Sequence, residues 1–393
     1  MTTGSQPTDR DDLDVIRTEV RRLADKYGCE YWRRLEPDRY PEEFVADLTA
    51  HGWLGALIPQ EYGGGGLDLT GASVVLEEIS ASGGTPAACH AQMYVMGTLL
   101  RHGSEEQKQK YLPRIASGEL RLQAFGVTEP AAGSDTGSIR TRAMRDGDIW
   151  RINGQKIWTS RALYSDLMVL LARTTPAEEC ERHIDGLSVF LVEMRDGAGD
   201  LVPGLTINPI PTMMNHSTTE VFFDDMVLPG DALVGTEGRG FRHVLDGMNA
   251  ERILIASECI GDGRFFLDRA SAYASERQVF GRPIGANQGI QFPLARAYAD
   301  LQAADLMRYR AAQLFDAGQG CAAEANMAKL LASEASWAAG NAALDTHGGF
   351  GFAVEYDIER KLRETRLYKV APINNNLVLS YLGEKVLGMP RSY

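Results

Sequence analysis

The segment Gly247–Ser257, GMNAERILIAS, sets Glu251 beside Arg252 at the head of an apolar run. A glutamate among apolar neighbours is a candidate general base, because a carboxylate moved out of water gains basicity. At helical spacing Leu254 and Ile255 share the face of Glu251 and would supply those neighbours. The same letters also read as Asn249 capping a helix, with Glu251 in an acidic first turn and Glu251 and Glu258 on one solvated face. A second candidate is Phe125–Thr141, FGVTEPAAGSDTGSIRT, where Pro130, Gly133 and Gly137 set turns while Thr128, Ser134, Asp135 and Thr136 crowd polar groups into one loop. It is either a polar connection or a loop whose N–H groups and hydroxyls meet the edge of a heterocycle. In Ile152–Ala162, INGQKIWTSRA, the pair Asn153-Gly154 predicts a hairpin turn that places Trp158, Thr159 and Ser160 on the returning strand. Trp158 there is either β-core packing or one stacking face for a planar ring.

The elements that must position these residues follow from periodicity. Up to about Gly118 the pattern is helical: Leu13, Ile16, Val20 and Leu23 form a stripe, Pro41 opens a first turn with Glu42 and Glu43, and Ser104 precedes Glu105, Glu106 and Gln107 as a cap. Gly63–Gly66 reads as a flexible connection, since it lacks the preceding strand and spacing of a phosphate loop. From Leu122 to about Leu233, short pieces such as DLMVLLART and GLSVFLVEM are separated by Gly, Asp, Asn and Pro, which predicts a mostly antiparallel β-domain. After Gly240 the helical period returns, and AEANMAKLLASEASWAAGNAALDTHGG reads as a helix packed on several sides of a bundle.

Composition bounds the function classes. The 393 residues are 44% hydrophobic and 24% charged, as in a globular protein with room for more than one core. A formal charge of −13 disfavours nucleic acid and anionic membranes as partners. Cys29, Cys89, Cys180, Cys259 and Cys321 show no C-x-x-C spacing, and His90, His102, His243 and His347 show no metal-ligand spacing. Cys89 and Cys259 read as packed thiols. The opening MTTGSQPTDRDD lacks a signal pattern and no run of about 18 apolar residues occurs, so the expectation is a cytoplasmic protein without membrane insertion.

The loop and the tryptophan strand, in this order and spacing, resemble the paired signatures of the acyl-CoA dehydrogenase flavoprotein superfamily. ASERQVFGRPIGANQGIQFPLA and HGGFGFAVEYDIERKLRETR extend the resemblance over essentially the whole chain. It implies an α+β fold with an N-terminal helical domain (1–122), a middle antiparallel β-domain (123–235) and a C-terminal four-helix bundle (236–393). It also implies FAD held without a Rossmann fingerprint, since no G-x-G-x-x-G follows a strand. Phe125, Val127 and Thr128 match the loop on the flavin pyrimidine and N5 side, and Gly133 and Ser134 match positions touching the flavin diphosphate or pantetheine. Trp158 matches the tryptophan over the isoalloxazine, and Ser160 a hydroxyl near N5. Arg277 and Phe280 match residues reaching the adenine-diphosphate end of FAD from a neighbouring subunit. Gly348 and Gly349 match a glycine pair at the same dinucleotide; Gln288 and Asn374 fall in the cofactor set, as does Asp345, where the family usually carries glutamine.

The reaction implied is α,β-dehydrogenation of an acyl-CoA thioester to the trans-2-enoyl-CoA, a carboxylate removing the α-proton while flavin N5 accepts the β-hydride. The family's commoner base position falls on Pro372, in VAPINNN, which contains no carboxylate. The alternative position, used in isovaleryl-CoA and long-chain acyl-CoA dehydrogenases, matches Glu251. Asn249, Arg252 and Ser134 then match substrate contacts, while Met93, Tyr94, Val95 and Met96 line an acyl pocket or belong to the core. The resemblance further implies a homotetramer and an electron-transfer flavoprotein as acceptor. An oxidase, a carrier-protein thioester dehydrogenase and a non-catalytic subunit remain alternatives on the same scaffold.

Overall fold

A computed structural model of the chain describes residue 8 and residues 10–392; the first seven residues, on which the expectation of no leader partly rests, lie outside it. In chain order it runs through helices, then a sheet, then a helix bundle. The first group comprises α1 (Arg10–Ala24), α2 (Gly28–Leu35), α3 (Glu42–Ala50), α4 (Leu69–Ala81), α5 (Ala87–His102) and α6 (Glu105–Ala116). On α1, Ile16, Val20 and Leu23 are buried, as the stripe predicts. Ser104 closes a full capping box on α6: its hydroxyl accepts the Gln107 N–H at 3.2 Å, and the Gln107 side chain accepts the Ser104 N–H at 3.0 Å.

Strands β1 (Leu122–Gly126), β2 (Arg142–Asp146), β3 (Ile149–Ser160), β4 (Leu167–Arg173), β5 (Leu187–Glu193), β6 (Leu205–Pro209), β7 (Thr218–Pro229) and β8 (Leu233–Val234) form one sheet ordered β6-β7-β3-β2-β4-β5-β8, with β1 also on β4. Its core is built on Trp150, Phe190, Met168, Leu170 and Val221, among others. The sheet is mostly antiparallel, as expected, with two parallel exceptions: β1 pairs with β4, and β2 touches β4 at Arg142–Arg173. Alternation of apolar and polar residues carries no information on strand direction. Asn153-Gly154 is not a hairpin turn but lies inside β3, where the register against β7 slips by a bulge. The turn instead passes through Gly147, and the Asn153 side chain accepts the Asp225 N–H across the bulge at 2.9 Å.

The bundle follows: α7 (Gly240–Glu276), a hairpin of β9 (Gln278–Val279) and β10 (Arg282–Pro283), α8 (Gln288–Asp316), α9 (Ala322–His347), α10 (Ile358–Leu367) and α11 (Asn375–Tyr381). The chain divides into two compact units that interleave in sequence. One holds the residues up to Glu36, Leu67–Pro86 and everything from Asn249 onward; the other holds Pro37–Gly66 and Ala87–Met248. Gly63–Gly66, in the second unit, is a fixed turn rather than a flexible link. Its four N–H groups donate to Gln60, Pro59, Gly55 and Ile58 carbonyls, and a Cβ on Gly64 would lie 2.2 Å from the Ile58 oxygen. Among the described residues no helix is long and apolar enough to cross a membrane.

Candidate active site

In the sheet-bearing unit, β1 and β3 present most of the residues singled out in the loop and the tryptophan strand. Phe125 is half-buried on β1, its ring edge-on to Tyr94 of α5 at 5.5 Å. Met93, Val95 and Met96 are core, so only Tyr94 of that quartet is partly accessible. The Thr128 carbonyl accepts the Ile157 N–H at 2.9 Å, which ties the loop to β3 one residue before Trp158. Gly133 and Ser134 sit on the exposed part of the loop.

Trp158 is neither core nor ordinary strand. Its φ is +61°, a conformation that costs a non-glycine residue free energy, and the register slips between Ile157 and Thr159. The result is an indole 57% exposed, whereas Trp150 and Phe190 of the same sheet are buried. Ser160 is half-buried opposite Thr218 of β7. An exposed indole held by a strained backbone, with hydroxyls nearby, fits one face and edge of a planar heterocycle.

A residue pair that the sequence reading missed lies beneath this surface. Lys156 is wholly buried, and its Nζ donates to the Val127 carbonyl at 2.9 Å and to Glu129 Oε1 at 2.8 Å. The Glu129 carboxylate also accepts the Arg140 N–H at 2.7 Å and the Thr141 N–H at 2.9 Å. Burial pushes Glu129 upward, but the Lys156 charge and these donors outweigh it and hold the carboxyl below its ordinary value. Burial pulls Lys156 down to about 8, and Glu129 offsets only part of that. The available signal was a lysine at an inward position of an alternating strand, INGQKIW.

In the bundle-bearing unit, Glu251 lies about three turns inside α7, which begins at Gly240. It is therefore no helix-start residue, and Asn249 caps nothing. Glu251 is 0% exposed and Glu258 2%, so the solvated-face reading is overturned for both. Leu254 and Ile255, on its helical face, and Ile253 are buried as well. Arg252 donates to Asn249 Oδ1 at 3.1 Å; burial lowers its pKa while the Glu251 charge works in the opposite direction. Lys329 of α9 also senses Glu251, although burial comes first and pulls its pKa down. Its Nζ donates to the Ile373 carbonyl and to Asn375 Oδ1, both at 2.7 Å, and so pins the chain beside Pro372.

The remaining bundle positions separate into two sets. Arg277 stands over the Phe350 ring at 5.9 Å, next to Gly348 and Gly349, so the structure brings these together. Gly348 has φ +57°, which favours glycine, and a Cβ on either glycine would meet nothing within 4 Å. Asp345 is exposed one turn before them. His347 is buried, stacked on Tyr273 at 4.3 Å, with its Nδ1 2.7 Å from the Ala343 carbonyl. Phe280 is fully exposed at the tip of the β9–β10 hairpin, and Gln288 is exposed at the start of α8. Asn374 accepts the Leu377 N–H at 2.9 Å as the cap of α11, a structural engagement the sequence reading did not foresee. Among the described residues no group of His, Cys, Asp or Glu could hold a metal ion.

Comparison with known proteins matches this chain to three family descriptions. They are the acyl-CoA dehydrogenase N-terminal domain over residues 10–119, its middle domain over 124–226 and its C-terminal domain over 238–374. An acyl-CoA dehydrogenase of Mycobacterium bovis is 36% identical over 98% of both chains. One of Bacillus subtilis is 36% identical over 95% of this chain and 97% of its own. A solved glutaryl-coenzyme A dehydrogenase with glutaryl-CoA superposes with a TM-score of 0.89 at 31% identity, covering 99% of this chain and 98% of that one.

Proposed function

The chain belongs to the acyl-CoA dehydrogenase family, and from that premise we propose that Glu251 is the base removing the α-proton of an acyl-CoA thioester on the way to the 2-enoyl-CoA. The observation that carries this reading is the complete burial of Glu251 in mid-helix, with Leu254 and Ile255 of its helical face buried too. A carboxylate so placed gains basicity, which a proton bound to carbon requires. The segment VAPINNN offers no competing carboxylate, and Pro372 is exposed within it.

FAD, the cofactor of this family's chemistry, would supply the two-electron acceptor for the β-hydrogen. Trp158 fits it as a stacking face, with Phe125, Val127, Thr128 and Ser160 along the heterocycle edge and Gly133 and Ser134 on the more exposed loop. Arg277, Gly348 and Gly349, with Phe280, Gln288 and Asp345, are assigned to the adenine-diphosphate end; Asn374 is kept in the set through its backbone, because its side chain caps α11. Asn249, Arg252 and Ser134 are assigned to substrate, and Arg252 is oriented by its bond to Asn249. In the reaction Glu251 takes the α-proton, while the buried helices around it exclude water from the carboxylate.

A homotetramer belongs to the same reading, supported by Phe280, Phe292, Leu306, Phe352 and Leu387, which lie exposed on the bundle-bearing unit. So do an electron-transfer flavoprotein as acceptor and a cytoplasmic setting, the latter supported by the five cysteines standing as thiols. The test is E251Q assayed anaerobically by flavin bleaching with a panel of acyl-CoAs. FAD and thioester binding should persist while bleaching slows by roughly 100- to 10,000-fold. Bleaching at the wild-type rate removes Glu251 from the role.

A further inference from the structure

We infer that the buried Lys156–Glu129 ion pair is the positioning device of the cofactor loop, coupling the loop Val127–Thr141 to the strand that carries Trp158. The inference rests on the reading that this loop and Trp158 hold FAD. Its ground is the number of tethers that converge on two side chains. Lys156 Nζ holds the Val127 carbonyl at the loop's start and Glu129 two residues on. Glu129 in turn holds the N–H groups of Arg140 and Thr141 at the loop's end. Both ends of a segment whose middle is exposed are therefore fastened to one buried ammonium group, two residues from Trp158 on the same strand. The Glu129–Ala132 bridge, bonded in both directions, and the Ile157-to-Thr128 bond complete the clamp.

Alternative uses of the pair fit less well. A pair serving only the sheet core would be replaceable by apolar side chains, and the core around it is already apolar. What an apolar pair cannot do is satisfy two backbone N–H groups and a carbonyl that the loop turns inward. Neither residue needs to touch cofactor or substrate; each acts through Thr128 and Trp158, so both are positioning residues.

The test uses full-length apoprotein, titrated with FAD and read by quenching of tryptophan fluorescence and by the visible flavin band, across pH 6–10. Wild type should bind, with affinity falling as pH passes about 8, where Lys156 gives up its proton. Glu129 is the charge found to face Lys156, so its removal fixes the direction of the next arm. E129Q should bind FAD at least tenfold more weakly, with the pH transition moved lower because the buried ammonium has lost its counter-charge. K156M should bind at least tenfold more weakly with no transition at all. Should K156M fail to fold, the shifted transition in E129Q decides alone. Unchanged affinity in a folded K156M, or one transition pH shared by wild type and E129Q, overturns the inference while leaving FAD binding intact. Wild-type protein that binds no FAD overturns the underlying reading instead, and this inference with it.

Discussion

A glutamate that works as a base must be buried enough to be basic yet ionised enough to accept a proton. Around Glu251 the first condition is met by apolar neighbours on its own helix, and the second by cations that sense it, Arg252 and Lys329. Lys329 is the better placed to be tested, because its hydrogen bonds run to Ile373 and Asn375 and not to any residue assigned to cofactor through its side chain. Removing a nearby positive charge disfavours the ionised carboxylate, so K329M should make Glu251 harder to keep as a base. The expected result is an acid limb of the flavin-bleaching rate, measured with FAD saturating, moved to higher pH. An acid limb that stays where it was would show that Lys329 serves only to hold the 373–375 segment. Glu251 could be singled out in sequence as a candidate base, through family resemblance and the absence of a carboxylate near Pro372. Its burial was not, since AERILIAS suits a helix start as well as a helix interior, and only the start of α7 at Gly240 separates them.

At the scale of elements, local signals were readable where the bonding is local. Ser104 and Gln107 sit three residues apart and satisfy each other, so the box at α6 could be read directly. Asn153-Gly154 failed for the opposite reason: the pair is used by partners far away in the chain, Asp225 and Thr141. Gly154 has φ +148°, and a Cβ there would stand 2.6 Å from the Thr141 Cα, the residue whose N–H Glu129 holds. G154A should therefore push β3 away from the end of the clamped loop. A loss of about 1–3 kcal/mol in denaturant unfolding is expected, as for overpacking, together with weaker FAD binding. A variant as stable as wild type would show that the bulge yields freely and that the glycine is not required by close approach. Lys156 was missed for a related reason: its inward parity with Trp150 and Ile152 was readable, but the misplaced turn at Asn153-Gly154 broke the strand between them.

Over the whole molecule, the three successive regions were legible from changes of period, but the interleaved units were not. Residues up to Glu36 and Leu67–Pro86 belong with the chain from Asn249 onward, a grouping set by contacts across hundreds of residues. Within that unit Glu77 touches all three segments, and Glu78 beside it pairs with Arg17, Arg21 and Arg264 as well. Glu77 of α4 is wholly buried and bonds Arg17 of α1 at 2.7 Å and Arg308 of α8 at 2.8 Å, and it pairs with Arg264 of α7. Arg308 is buried as well, and Asp305 and Ser73 take its remaining donors. Burial would raise the Glu77 pKa, but Arg308, Arg264 and Arg17 outweigh it and hold the carboxyl below its ordinary value. A carboxyl more acidic folded than unfolded contributes stability that is present above its ordinary pKa and is lost as pH falls through the depressed one. E77Q leaves the buried Arg308 and the partly exposed Arg17 and Arg264 facing a neutral amide, at a cost of about 3–5 kcal/mol near neutral pH. Because the variant has no proton to take up at this position, its stability should decline less steeply than wild type below about pH 4.5. Chemical unfolding of both proteins at a series of pH values checks the two expectations at once. Parallel stability curves, or an E77Q protein as stable as wild type at pH 7, would mean that the three segments are not held by this carboxylate.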